Sequence, residues 1–227
     1  MNTDLALLQL SDSFFPTGMF AHSFGLEGMV RRGRVQSLED LEQLLLATLT
    51  HTVIPSDCVA LLNSHRAVRF SDRHELCSID ARLFLMKASP ELRAVSQQHG
   101  RRLLAETASF TEDQMLADYR AEVMSRDSPG TGAVALGAMA GALGIDAEFA
   151  LAGYLHGYIT GLASAAIRLL PVSNSECQVM IHRMHHAISD KVEQSRHRSW
   201  HEMTSFSPEL DIVSMLHVDD DLRMFAS

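Results

Sequence analysis

Signals that begin α-helices recur along this chain, and they restrict its fold more than any other feature. Serine before acidic residues, typical of a helix N-terminus, occurs at Ser37 and again at Ser89, where Pro90 takes the first helical position. Asp72 forms a further start of this kind. No segment alternates apolar and polar residues between turn signals as a half-buried strand does. The sequence therefore predicts an all-α fold, a single-domain helical bundle of about ten helices over residues 1–227.

Other junctions are predicted from local chemistry. Pro55 lacks an N–H group and predicts that a new helix begins there. Residues 111–114 match a capping box, with a threonine followed three positions later by a glutamine. Gly144 predicts a helix C-terminus and Asp146 the start of the next long helix. The last long helix is expected to end near Ser195.

Two predicted helices carry glycines four residues apart, which leaves a groove along one face of each. These glycines are Gly137 and Gly141 in one helix, and Gly153, Gly157 and Gly161 in the next. Glycine lowers helix stability by about 1 kcal/mol relative to alanine, so a close helix contact is expected to compensate. The pattern predicts two closely packed central helices, and a seam between two copies of the chain is the alternative.

Charge and cysteine content restrict the class of function. The net charge is −9 at pH 7, and no lysine and arginine stripe offsets it, so a nucleic-acid partner is not expected. Cys58, Cys77 and Cys177 lie far apart, which argues against a disulfide framework and favours a reducing compartment. The first residues lack the basic and apolar regions of a signal peptide. We expect a cytoplasmic protein.

One apolar segment approaches the length of a membrane span. Residues 149–167 are nearly free of charge, but they are rich in alanine and glycine and contain Tyr154, His156 and Tyr158. Charged residues bracket the segment closely. A buried core helix is therefore expected here, and no membrane association is predicted.

No arrangement of residues predicts catalysis. Residues 130–132 are glycine-rich, but no Gly-Lys-Ser or Gly-Lys-Thr follows, so a phosphate loop is not supported. The nucleophile elbow Gly-x-Ser-x-Gly is absent, and no carboxylates are forced into a pair. The sequence thus predicts no enzyme activity and no cofactor.

Histidines supply the one candidate for metal chemistry. His182, His185 and His186 lie on one predicted helix, and His197 and His201 are four residues apart. Such spacing can place two imidazoles on one helix face and chelate a transition metal. The zinc-protease pattern His-Glu-x-x-His is absent. We predict no metal site, and keep nickel binding by these histidine pairs as the alternative hypothesis.

Both ends of the chain carry large apolar residues. Near the N-terminus, phenylalanines crowd around Pro16 and Gly18, which favours a hydrophobic staple at a helix start. After Trp200 the helical pattern fades into a turn-prone, half-apolar stretch over residues 205–212. Such a tail either docks on its own body or becomes ordered on a partner, and the composition does not decide between the two.

Four segments in the same order resemble the family of the urease accessory protein UreF. Residues 7–27 resemble the N-terminal signature of that family, which ends in His-Ser-Phe-Gly-Leu-Glu. Residues 89–93 with Gly100 resemble its Glu-Leu-Arg helix, and residues 168–171 with Gln178 its Arg-Leu-Val-Pro turn. Residues 211–227 resemble its closing segment. Departures from the family pattern occur at Ser173, Asn174, Leu216, Val218 and Ala226.

The resemblance implies an all-α homodimeric scaffold without catalysis of its own. Members of this family bind the accessory protein UreD, also called UreH, and help recruit the GTPase UreG. Together they deliver nickel to apo-urease. The resemblance places an N-terminal partner-binding segment at about residues 1–30 and a partner-binding tail at about residues 203–227.

Eight residues of these two segments are the candidate partner-binding site on the basis of the resemblance. They are Phe20, His22, Ser23, Gly25, Leu26, Glu27, His217 and Arg223. Phe20 is expected to be an aromatic anchor and Arg223 a charged clamp, because aromatic residues and arginine dominate interface energetics. Gly25 is expected to allow a close approach, and Glu27 to form a hydrogen bond or ion pair.

Overall fold

A computed structural model describes residue 9, residues 23–109 and residues 111–216 of the chain. Within these residues the regular elements are helical and no strand occurs, which confirms the all-α prediction. The α-helices are α1 (Leu26–Arg31), α2 (Leu38–Thr48), α3 (Val59–Arg69), α4 (Arg73–Met86), α5 (Pro90–Thr107), α6 (Gln114–Ser125), α7 (Gly132–Leu143), α8 (Ala147–Leu169), α9 (Asn174–Ser195) and α10 (Pro208–Leu216). A π-helical stretch, Leu49–Cys58, joins α2 to α3, and a 3₁₀ turn, Trp200–Glu202, precedes α10.

Most of the predicted helix ends are confirmed. Ser37 caps α2 in a capping box with Asp40, and Ser89 accepts a hydrogen bond from the Glu91 N–H group. Asp146 caps α8, and Gly144 ends α7 in the left-handed conformation, with φ of 69°. These ends depend on hydrogen bonds within a few residues of sequence, so they can be predicted locally.

Two predicted starts are wrong in detail. The cap of α6 is Asp113, whose carboxylate accepts from the Leu116 N–H group, whereas Thr111 accepts only from Asp113 itself. The Asp113 carboxylate, two residues after the threonine, therefore caps the helix in place of the predicted capping box. At Pro55 no new helix begins, because the backbone continues through the π-helical stretch into α3.

The C-terminal segment runs beside this π-helical stretch. The Phe206 N–H group donates to the His51 carbonyl at 2.9 Å, and the Thr204 N–H group donates to the Pro55 carbonyl at 3.1 Å. Proline cannot donate within its own helix and leaves a carbonyl without its helical partner. The N–H groups of Thr204 and Phe206 donate to two carbonyls at this turn, so the helix passes through Pro55 without a break.

Helix α7 lies against α3 at the centre of the fold. A Cβ atom on residue 137 would overlap with the Ser64 hydroxyl and the Leu61 carbonyl, and one on residue 141 would lie 2.8 Å from the His65 carbonyl. The central-core interpretation is confirmed for these two glycines. Of the second set, on α8, Gly161 is buried and Gly153 and Gly157 are half-buried, and the alternative of a dimer seam stays a prediction for them.

Gly137→Ala is expected to lower the free energy of unfolding by about 1–3 kcal/mol. The new methyl group would overlap with a backbone carbonyl, which cannot rotate away, and this cost exceeds the gain in helix propensity of about 1 kcal/mol. Gly141→Ala, whose methyl group would have more room, is the matched control with a smaller expected loss. Urea denaturation followed by circular dichroism measures both. Equal stability of the two variants would contradict the packing argument.

A buried carboxylate fixes the loop that leads into α7. Asp80, on α4, accepts hydrogen bonds from the hydroxyls of Tyr119 and Ser128, the N–H of Gly130, and both the N–H and the hydroxyl of Thr131. Its side chain is fully buried. An anion at a helix N-terminus is favourable, and Asp80 already takes this position. The glycine-rich loop is therefore a helix start, as predicted, and its N–H groups are occupied.

Within the described residues one helix, Leu38–Arg69, is long and apolar enough to cross a membrane by length and composition alone. In its most apolar window, 67% of the residues are buried inside the protein. We interpret it as a core helix for that reason. The segment that prompted the same question in the sequence, residues 149–167, lies within α8, and many of its side chains are buried.

Candidate partner-binding surface

The structure places four of the eight predicted partner-binding residues at the start of α1. These are Ser23, Gly25, Leu26 and Glu27. The other four, Phe20, His22, His217 and Arg223, lie outside the described residues. The role of all eight residues toward a partner stays a prediction.

Three of these residues are buried and hold α1 in place. Ser23, Leu26 and Glu27 each have no solvent exposure. The Glu27 carboxylate pairs with the Arg31 guanidinium at 2.9 Å, one turn further along the helix. These three side chains are therefore part of the interior of the protein and not of its exposed surface.

Gly25 and Gly28 allow α10 to lie directly on α1. Gly25 has φ of 86°, which favours glycine, and a Cβ atom there would lie 2.7 Å from Leu210 and 2.8 Å from the Ser214 hydroxyl. A Cβ atom on Gly28 would lie 2.6 Å from Val213. The expected close approach at Gly25 thus occurs within the chain. Of the two alternatives for the tail, residues 208–216 take the first and dock on their own body.

The outer side of α10 remains open to solvent and is apolar. Ile212 is 57% exposed and Met215 is 43% exposed, while Leu210 and Val213 face α1 and are buried. Arg34, just after α1, pairs with Glu209 of α10 at 3.3 Å, at the edge of a shallow groove between the two helices. Apolar residues rimmed by charged ones are typical of a protein-binding surface.

A cavity of about 80 Å³ lies beneath α10 and contains a buried ion pair. The Lys87 ammonium is 2.8 Å from the Asp57 carboxylate, which also accepts from the Tyr154 hydroxyl at 3.0 Å. Phe24 forms part of the wall, and its ring centroid lies 5.0 Å from that of Tyr158. Residues from α4, α8, α10 and the π-helical stretch therefore meet at one point.

Burial controls the protonation of groups around this cavity. It raises the pKa of Tyr154 well above the ordinary value, and the neighbouring Asp57 charge adds to the effect. The phenol therefore keeps its proton and donates to Asp57. Burial also raises the pKa of Asp211 on α10, while a hydrogen bond from Ser207 and the positive charge of Lys87 oppose that rise.

Sequence reasoning missed this charged cluster. Asp57 is the single carboxylate between Leu44 and Leu62. Apart from one histidine, the other residues of that run carry no charged side chain. Such a residue is a candidate for a buried, paired charge, because an unpaired one would be costly. Its partner Lys87 follows the end of α4, thirty residues further along the chain, and no local sequence pattern connects the two residues.

The histidines are arranged differently from the sequence hypothesis. The rings of His182 and His186 meet edge to face, with centroids 5.0 Å apart. His197 and His201 do not share a helix, because α9 ends at Ser195 and His201 stacks on Trp200. Across residues 23–109 and 111–216, no three His, Cys, Asp or Glu side chains converge to hold a metal. Nickel binding by the histidine pairs stays an untested hypothesis.

The departures from the family pattern lie at helix ends where the structure describes them. Ser173 caps α9 in a capping box with Glu176, and Asn174 is the first residue of that helix. Leu216 is the last residue of α10. Val218 and Ala226 lie outside the described residues.

Comparison with known proteins agrees with the geometry. The family model described as UreF matches residues 35–185. Urease accessory protein UreF 1 of Brucella melitensis is 33% identical over 221 residues, covering 97% of this chain and 91% of that protein. Urease accessory protein UreF of Trichodesmium erythraeum is 32% identical over 227 residues, covering 100% of this chain and 98% of that protein. That of Paenarthrobacter aurescens is 31% identical, with 98% and 97% covered.

These relatives are accessory proteins, and in the part of this chain that the structure describes the regular elements are helical and α1 packs against α10. The chain belongs to the UreF family of urease accessory proteins.

Proposed function

We propose that this chain is a scaffold in urease maturation that binds UreD/UreH and recruits the GTPase UreG for nickel insertion into apo-urease. Its membership of the UreF family supports a maturation role. The proposal includes a homodimer that acts in the cytoplasm, catalyses no reaction itself, and needs neither a nucleic acid nor a membrane.

The observation that carries the proposal is the contact between α1 and α10. It joins the N-terminal segment and the tail, which the family resemblance assigns to partner binding, into one continuous surface. The exposed Ile212 and Met215 supply apolar area on this surface. The net charge of −9 adds electrostatic attraction toward partners with basic faces.

Co-purification tests the proposal. The chain is expressed with its cognate UreD/UreH and UreG, and size-exclusion chromatography with light scattering gives the mass of each complex. A stable complex that contains two copies of this chain is the expected result. If the chain elutes alone with both partners in excess, the scaffold proposal is wrong.

Gly25→Val is expected to weaken the complex with UreD/UreH about tenfold or more, which corresponds to roughly 1.4 kcal/mol. The added side chain would collide with Leu210 and Ser214 and displace α10 from α1. Gly33→Val is the matched control, because Gly33 also has a positive φ, of 67°, but only the Gln36 side chain lies near its missing Cβ atom. Titration calorimetry measures both affinities. Equal affinity of the two variants would show that partner binding does not depend on the contact between α1 and α10.

A further inference from the structure

Two histidines from different helices meet on the outside of the protein. The Nδ1 atom of His156, on α8, lies 3.4 Å from the Nε2 atom of His185, on α9. Their ring centroids are 5.5 Å apart and the ring planes are inclined by 49°. Both side chains are exposed, so an ion from solvent can reach both nitrogens. His156 was not among the histidines that the sequence singled out.

The distance between the two nitrogens is suited to tetrahedral coordination. Zinc binds imidazole nitrogen at about 2.0–2.1 Å, and two such bonds to nitrogens 3.4 Å apart enclose an angle of about 109°. Right-angled coordination at the same bond length would need the nitrogens at about 3.0 Å. The two rings meet at hydrogen-bond distance, and this spacing is compatible with tetrahedral zinc, whose d¹⁰ shell imposes no geometric preference of its own.

The backbone on either side of the pair is held firmly. Leu155 and Ile159 flank His156 on α8 and are buried, and Met184 and Ile188 do the same for His185 on α9. The hydroxyls of Thr160 and Ser189 donate to the carbonyls of His156 and His185 respectively, each at 2.8 Å. The backbone that carries the two rings is thus fixed, and the rings already meet at hydrogen-bond distance, which reduces the entropic cost of binding.

We propose that His156 and His185 form a zinc-binding site that bridges α8 and α9. The two imidazoles supply two ligands, and water or a side chain of another molecule fills the remaining positions. No third ligand from residues 23–109 and 111–216 completes the site. Among the residues that the structure describes, the site thus has two protein ligands, fewer than the four of a closed structural zinc site.

The proposed ligands differ from the neighbouring histidine pair on α9, which lies close enough for its charge to act on His185. His182 and His186 face each other edge to face, and this pair is contained within one helix. A variant at His186 leaves both proposed ligands in place, and His74 is an exposed histidine on α4. These two positions supply matched controls that remove the same type of side chain. The inference is independent of the scaffold proposal, because it concerns a different surface.

Isothermal titration calorimetry with zinc chloride on the full chain tests the proposal. One zinc ion per chain is expected to bind, with affinity at least about tenfold weaker in His156→Ala and in His185→Ala. His186→Ala and His74→Ala are expected to bind as the unchanged protein does. Wild-type affinity in either ligand variant overturns the site, as does loss of binding in His186→Ala alone.

Two further measurements make the result decisive. Circular dichroism establishes that each variant is folded, and zinc is expected to raise the melting temperature of the unchanged protein but not of the two ligand variants. Titration with Ni²⁺ then checks the choice of metal. Tighter binding of Ni²⁺ than of Zn²⁺ at the same two histidines would overturn the assignment to zinc.

Discussion

Asp80→Ala is expected to lower the free energy of unfolding by about 3–5 kcal/mol. The substitution removes the acceptor for donors on Tyr119, Ser128, Gly130 and Thr131, in a place without solvent exposure. Each donor left without a partner costs free energy, and the loop before α7 loses its attachment to α4. Urea denaturation monitored by circular dichroism measures the loss.

Asp80→Asn separates the charge from the shape of this side chain. The amide fills the same volume, but its NH₂ group faces groups that themselves donate, so a loss of about 2–3 kcal/mol is expected. Asp190→Asn, on the exposed side of α9, is the matched control and should change stability by less than about 0.5 kcal/mol. A stability of Asp80→Asn equal to that of this control would show that the negative charge and the second acceptor oxygen contribute nothing.

Lys87→Met is expected to lower the free energy of unfolding by about 3–5 kcal/mol as well. Methionine keeps most of the volume of lysine but removes the positive charge beside Asp57, whose side chain is only 5% exposed. The carboxylate then stays buried with the hydroxyls of Tyr154 and Ser56 as neutral donors. Because α10 lies over this cavity, docking of the tail should weaken together with global stability.

The double variant Asp57→Asn with Lys87→Met tests whether the loss arises from an unpaired charge. Replacing both members of a buried ion pair by neutral groups is often close to neutral. We therefore expect the double variant to recover most of the stability that Lys87→Met loses, as measured in the same urea titrations. A double variant as unstable as the sum of the two single variants would mean that packing, and not charge, holds this cluster together.

Helix ends in this protein could be predicted because their causes are local. Ser37, Ser89 and Asp146 each bond to an N–H group two or three residues further on, so the sequence around each of them suffices. The prediction failed at Pro55 for the opposite reason. The hydrogen bonds at that turn come from Thr204 and Phe206, and no window of sequence around the proline contains them.

In the candidate site, too, features with local causes could be predicted from the sequence and features with long-range causes could not. The resemblance pointed to Gly25 and to a close approach, but not to Leu210 and Ser214 as the neighbours that require a glycine there. Asp57 and Lys87 meet only because the π-helical stretch and the end of α4 converge on one cavity. Long-range packing of this kind depends on the complete fold, and single-sequence periodicity carries no information about it.

The hydrogen bonds from residues 204–206 to the turn at Pro55 bear on the order in which the chain folds during synthesis. The long helix that contains Pro55 leaves the ribosome first, and Thr204 and Phe206 follow only after the helices between them have been made. Until then the carbonyls of His51 and Pro55 lack their partners from the tail. The central helix can therefore reach its final form only after residues 204–206 have been made, and a chain truncated before residue 204 would keep this turn exposed to holding chaperones and to proteases.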